Sequence, residues 1–208
     1  MISISSCQCR GTREKVIYGS GYIEDVLCGK RFRISSRSFY QINPVQTEKL
    51  YSAAIGLSGL TGNETVLDAY CGIGTIGLSA SDKAKQVIGV EINRDAVNDA
   101  IANARLNGVK NCWFTVGDAG KYMEQMAADK VKPDIVFMDP PRAGSDERFL
   151  SSLLKCAPKR IVYISCNIDT QRRDLDVLLS GGYKLRRIQP VDMFPYTEHI
   201  ECVVMLEK

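Results

Sequence analysis

The chain has little surplus charge: 27 basic residues face 24 acidic ones, for a formal charge of +3. So small an excess gives nucleic acid little global attraction, and any hold on it must come from local clusters. Neither a basic-then-apolar leader nor an apolar run long enough to cross a bilayer is present. A soluble, cytoplasmic protein with no membrane partner is therefore expected, and a monomer is the default. The eight cysteines, at 7, 9, 28, 71, 112, 156, 166 and 202, lack the regular spacing of a disulfide framework and suit a reducing compartment. Cys7 and Cys9 form a Cys-x-Cys pair, but no second pair at ligand spacing follows, so no metal is expected. No internal repeat or low-complexity tract is evident.

What is present suffices for one compact core, since 45% of the 208 residues are hydrophobic. Residues 16–40 hold short apolar stretches broken by glycine, Val16-Ile17-Tyr18, Tyr22-Ile23 and Phe32-Arg33-Ile34, which predict strands too few to form a core alone. Asn43-Pro44 predicts a helix cap and first turn, with a helix over 44–57 carrying Val45, Leu50, Ala53, Ala54 and Leu57 at helical spacing.

From residue 65 short apolar runs recur: Val66-Leu67, Val87 to Val90, Trp113 to Val116, Ile135 to Met138 and Ile161 to Ile164. Each predicts a buried strand. Helix-like segments separate them, clearest over Asp95 to Leu106, where Ala96, Ala100, Ile101, Ala104 and Arg105 share one face. Strand and helix in alternation make a parallel sheet. Tyr183 to Val191 and Ile200 to Leu206 are joined without a helix, so the last strand is expected to run antiparallel.

The stretch from Val66 to Gly77 contains Gly72-Ile73-Gly74-Thr75-Ile76-Gly77 between a strand and a helix, where glycines let a ligand approach the backbone closely. Glu91 ends the next strand 23 residues after Asp68, where an acidic side chain can accept ribose hydroxyls. Together they indicate an adenosine-type cofactor, either a nicotinamide dinucleotide or S-adenosylmethionine. Asp139-Pro140-Pro141-Arg142 favours the second: its prolines cannot continue a strand, and a rigid turn there presents oxygens to a reacting centre. Against this stands the plainer reading of Pro-Pro as a strand terminator. Asp118 could bind the adenine amine or belong to an ordinary surface turn.

Ile161 to Asn167 runs a buried strand directly into Cys166 at the edge where open parallel sheets bind ligands. That makes Cys166 the cysteine expected to be chemical, whereas Cys112, Cys156 and Cys202 are expected to pack. The segment from Asp192 to Glu201 carries the single histidine, His199, beside Glu198 and Glu201. His199 and Glu198 suit structural or solvated roles; Glu201 begins an apolar strand, where a carboxylate needs a reason.

Five motifs occur together and in order: Ser38 to Pro44, Asp68 to Gly77, Asp139 to Arg142, Ser165-Cys166-Asn167 and Asp192 to Glu201. On these the chain, from about residue 16 to its end, resembles the RNA uracil-5-methyltransferase family. The resemblance implies a doubly wound, mostly parallel seven-stranded α/β sheet of the Rossmann-like methyltransferase type with a short N-terminal extension. Residues 1–57 would be a remnant of a central domain plus a linking helix, and 58–208 the catalytic domain. It further implies S-adenosylmethionine as cofactor, Cys166 as nucleophile and Glu201 as the group that removes a proton. Gln41, Tyr70, Glu91 and Asp139 would contact the cofactor, with Asp118 as an addition. The partner would be RNA, with 23S ribosomal RNA favoured over transfer RNA, and the target base must be unstacked for chemistry on carbon 5. Phe194, Tyr196 and Arg142 would be stacking or phosphate contacts.

One departure is Ile168, where the family writes proline after Ser-Cys-Asn, and a less rigid turn is expected there. Alternatives are a cofactor-binding protein unable to dock RNA, since the family's N-terminal RNA-binding barrel is not found in this sequence, or an amino-group methyltransferase. Arg142 speaks against the latter, which places an aromatic residue after Asp-Pro-Pro.

Overall fold

The computed structural model describes residues 15–208. Cys7 and Cys9 lie outside the described residues. A hairpin of β1 (Tyr22–Leu27) and β2 (Lys30–Ser35) leads to helix α1 (Pro44–Ser58). Then come β3 (Thr65–Ala69), α2 (Thr75–Ala80), β4 (Gln86–Glu91), α3 (Arg94–Leu106), β5 (Cys112–Val116) and α4 (Ala119–Ala128). The chain continues through β6 (Ile135–Met138), α5 (Glu147–Cys156), β7 (Arg160–Ser165), α6 (Ile168–Ser180), β8 (Lys184–Val191) and β9 (Glu201–Glu207).

Seven strands form one sheet in the order β5-β4-β3-β6-β7-β9-β8. All neighbours from β5 to β7 pair in parallel, while β9 runs antiparallel between β7 and β8. The order reverses at β3, whose neighbours β4 and β6 are reached by crossovers in opposite directions, so a crevice opens beyond its carboxyl end. Apolar layers cover both faces: Leu50, Ala54, Val66, Ile135, Val162 and Val203 on one, Met123, Val136, Phe149, Leu153, Ile161 and Val204 on the other.

The hairpin shares the first layer through Leu27, Phe32 and Ile34. Its seam with α3 is polar. Asn107 and Asn103 each donate to and accept from the backbone of Arg31 and Arg33, at 2.7–3.1 Å, and Asp99 accepts from Ser35 N at 3.1 Å. Three side chains spaced four apart on a helix thus satisfy a strand edge that would otherwise be left open.

Four local expectations need correction. Val16-Ile17-Tyr18 forms no strand and lies exposed, because no partner edge faces it. β5 sits at the sheet edge rather than inside, leaving Trp113 54% exposed. On α3 the buried face holds Val97, Asp99 and Asn103 beside the alanines, and Arg105 is exposed. On α1 the buried face is Thr47, Leu50, Tyr51, Ala54, Ile55 and Ser58, with Val45 in solvent. Among the described residues no helix is long and apolar enough to cross a membrane.

Candidate active site

The crevice is built from the carboxyl ends of the strands. β3 ends in Tyr70, held at φ 65° in the left-handed region, which turns the chain sharply into the glycine loop. The Tyr70 hydroxyl donates to Ser145 Oγ at 3.3 Å and its ring lies 5.4 Å from that of Phe149; burial pushes its pKa up to about 12. Gly72 follows with φ 54°, and a Cβ there would project into open space, so the loop presents bare backbone to the crevice. Gly77, by contrast, is needed for packing: a Cβ there would lie 2.8 Å from Asp68 Oδ2. Asp68, fully buried, accepts from Gly77 N at 2.8 Å and fixes the start of α2, while its Oδ1 has no partner among the described residues. Burial, against that hydrogen bond, raises its pKa to about 7.

Glu91, at the end of β4, accepts from Gly72 N at 3.1 Å and Asn93 N at 2.8 Å, fastening the glycine loop to the neighbouring strand. Asp118 caps α4 by accepting from Lys121 N at 2.9 Å, which is the turn-forming role weighed for it. The Ser38-to-Pro44 motif divides its labour. Ser38 donates to Asp99 at 2.9 Å, and Asn43 caps α1 while donating to Met193 O at 2.9 Å. Gln41 is left buried, with no hydrogen bond for its amide among the described residues. Because Asp68 Oδ1 is the one fully buried side-chain polar atom without a partner among the described residues, the Gln41 amide keeps contact with the crevice, where a ligand or water can reach it. Gln41, the open face of Gly72 and the carboxylates of Glu91 and Asp118 form a donor and acceptor set that fits a nucleoside-bearing cofactor.

Cys166 follows β7 directly. One position beyond the Ser165–Cys202 pair of the β7–β9 ladder, it falls opposite Glu201 at the start of β9. It is partly exposed and lines a 510 Å³ cleft with Arg142, Asn167, Ile168, Asp169, Glu198, His199 and Ile200. Burial is the largest influence on its thiol and raises the pKa; the charge of Glu201 adds to this, and a hydrogen bond from Arg142 opposes it. Glu201 is 6% exposed, and burial lifts its pKa to about 7 against the pull of Arg142. Asp139, at the end of β6, is held well above the usual carboxylate range by burial, then by the charges of Glu201 and Asp68.

Arg142, named from the sequence as a stacking or phosphate contact, lies in the same cleft as Cys166. Its carbonyl accepts from Asn167 Nδ2 and Thr170 Oγ1, both at 3.1 Å, and its guanidinium lies 3.3 Å from His199 Nδ1. The available signal was its place directly after Asp-Pro-Pro. The turn after Cys166 is also pinned without a proline. Asn167 caps α6, Ser165 Oγ bonds Asn167 N at 3.1 Å, and Ile168 occupies the first helical position, where proline is tolerated. Cys156 and Cys202 are buried, as packing cysteines should be; Cys112 is only partly covered.

A parallel sheet wound on both faces, an antiparallel strand inserted next to its edge and a glycine loop at the switch point define a Rossmann-like methyltransferase fold. Within that class the chain belongs to the tRNA (uracil-5-)-methyltransferase family, whose model matches residues 4–208. It is 53% identical over 95% of its length to a Halalkalibacterium halodurans protein and 46% identical over 95% to one from Clostridium acetobutylicum; both are called uncharacterized RNA methyltransferases. The chain spans 43% of the length of each. Among solved structures it is similar to the Pyrococcus abyssi tRNA (uracil-54, C5)-methyltransferase in complex with S-adenosyl-L-homocysteine. That match has a TM-score of 0.77 and 33% identity, covering 91% of this chain and 45% of the other. M. jannaschii TYW2 in complex with AdoMet shares the fold at a TM-score of 0.65 and 18% identity, covering 93% and 90%.

Proposed function

We propose that this chain carries the catalytic site of an RNA uridine methyltransferase acting on carbon 5 through a transient cysteine adduct. The observation that carries the reading is the register that sets Cys166 opposite Glu201, with Arg142 and Asp139 beside them. Gln41, Tyr70, Glu91, Asp118 and Asp139 are the residues we assign to holding S-adenosylmethionine, which supplies an electrophilic methyl group from its sulfonium.

Cys166 attacks carbon 6 of the uracil as a thiolate, forming the S–C6 bond and moving the ring electrons toward carbon 5. Arg142 offsets the negative charge that Cys166 and Glu201 would otherwise impose on each other. After alkylation, Glu201 removes the proton from carbon 5, the electrons re-form the C5–C6 double bond, and the S–C6 bond breaks to release Cys166. A carboxyl whose pKa is about 7 is well matched to that transfer near neutral pH. Burial holds the Asp139 pKa well above the usual carboxylate range, which favours the protonated form that can donate a hydrogen bond to a carbonyl oxygen.

Two supports come from outside the geometry: the family to which the chain belongs and the substrate named for the Pyrococcus abyssi relative. We keep ribosomal RNA as the first substrate class to test and transfer RNA as the second. The test uses each RNA with 5-fluorouridine in place of uridine, because fluorine cannot leave as a proton does and traps the adduct. A covalent complex is expected with the parent protein and none with Cys166→Ala. An adduct that survives loss of Cys166 overturns the mechanism, and cofactor binding without turnover on either RNA favours a chain that holds cofactor but cannot dock RNA.

A further inference from the structure

The sheet carries a second cleft, far from Cys166, between the end of α1 and the outer strands. It encloses 430 Å³ and is lined by Leu57, Gly59, Arg160, Arg186, Arg187, Met205 and Glu207. Its charges do not balance. Glu207 accepts from Arg160 Nε at 3.3 Å and from Arg186 Nε at 3.2 Å, so one carboxylate serves two guanidiniums. Arg160 also donates to Ser58 O at 3.0 Å, which anchors it to the end of α1. Arg187 makes no hydrogen bond or ion pair among the described residues. Three arginines against one glutamate leave two positive charges in one concave surface. The chain as a whole is nearly neutral, so this is a local concentration that composition does not reveal.

We propose that this cleft binds RNA backbone phosphates and guides the strand that feeds the Cys166 cleft; the inference rests on the RNA-directed reading above. The alternative occupant of an outer strand is another protein strand, and β8 is built against it. It carries Lys184, Arg186 and Arg187, a register irregularity between Leu185 and Arg187, and Pro190, which removes a donor. Charges, bulges and proline are the devices that keep sheet edges from pairing. What remains is a solvated cationic ridge, suited to a flexible polyanion and not to a strand. Guanidinium forks match phosphate oxygens in geometry as well as charge.

Position supports the same occupant. β8 runs from this cleft toward the catalytic one, ending at Val191, whose register partner is Glu201. From Arg187 to Val191 is about 13 Å at the rise of an extended strand. The segment after Val191 carries Glu198, His199 and Ile200 into the wall of the catalytic cleft. A single strand of RNA lying along β8 would therefore approach the Cys166 opening from the Val191 side.

The experiment measures binding of long polyuridylate and of a short oligouridylate to the full chain across a salt series. For Arg186→Gln/Arg187→Gln, affinity for the long polymer is expected to fall about tenfold at moderate salt, with a salt slope shallower by roughly 1 to 2. The short oligomer, which spans only the catalytic cleft, should lose less than about twofold. Arg187→Glu, which changes the charge by the same two units, should weaken the long polymer to a comparable degree, and calorimetry with S-adenosylmethionine should match the parent, showing an intact fold. No polyuridylate binding by the parent, or equal affinities and slopes for parent and variants, overturns the proposal. The 5-fluorouridine adduct keeps the two claims apart: its persistence alongside unchanged slopes sinks the phosphate track alone, and its absence sinks the catalytic reading.

Discussion

Along the seam between β2 and α3, Asp99, Asn103 and Asn107 each spend their polar atoms on the strand backbone. Near the carboxyl ends of β3 and β6 and at the amino end of the antiparallel β9, by contrast, Asp68, Asp139 and Glu201 have few partners, and burial raises the pKa of all three. Both regions bury polar groups in a mainly apolar protein, yet one is satisfied and the other is left open. A satisfied network contributes to holding the fold; an open one costs stability and persists where a ligand or a reaction uses it.

The largest way to break this contrast is Glu201→Gln. Turnover should fall by about 10²–10⁴ for loss of a positioned base. The methylated adduct should accumulate, because proton removal precedes release of Cys166; mass spectrometry of the protein–RNA complex detects it. A variant that turns over normally would remove Glu201 from the mechanism.

The open region should also make stability fall as pH rises. Glu201 and Asp68 both have folded pKa values raised to about 7. Each therefore binds a proton more tightly when folded, and that contribution is fully present below the ordinary carboxylate range and lost as pH climbs through 7. The loss is on the order of 3 kcal/mol for Glu201 and about 4 kcal/mol for Asp68. Thermal melts should show a lower Tm at pH 8 than at pH 5.5, and Glu201→Gln should flatten the slope. A melt curve rising over the same interval would refute the assignment.

The satisfied seam gives the opposite signature. Asn103→Ala leaves Arg33 N and Arg33 O without partners and should cost about 2–3 kcal/mol in denaturant unfolding. Where the variant folds, the rate constant for methyl transfer should stay near that of the parent. A smaller effect is expected for Arg142→Ala, which removes the hydrogen bond that lowers the Cys166 pKa. Iodoacetamide modification of Cys166 near pH 8 should slow, because the thiolate fraction falls. Acceleration instead would show that the guanidinium shields the sulfur rather than activating it.

The sequence shows the open region better than the satisfied one. Glycine spacing, the carboxylate ending β4, Asp-Pro-Pro and the cysteine ending β7 are rare combinations with local causes, and each marks a strand end directly. The reversal of β9 was also legible, since no helix separates it from β8. The α3 ladder was not: Asp99, Asn103 and Asn107 recur every four residues like any solvated stripe, and only tertiary placement turns them toward β2. The same limit explains β5, whose apolar run is that of an interior strand although nothing pairs beyond it. Arg142 was named, but its place beside Cys166 and His199 was not, because one guanidinium among many has no signature until its neighbours are known.

The placement of β9 also sets when the molecule becomes competent. Its thiol comes from the seventh strand, but the opposing carboxylate arrives only with the ninth, after the chain has doubled back between two earlier strands. A chain still short of residue 201 would hold the glycine loop and Cys166 without the carboxylate that the proposed mechanism requires opposite the thiol.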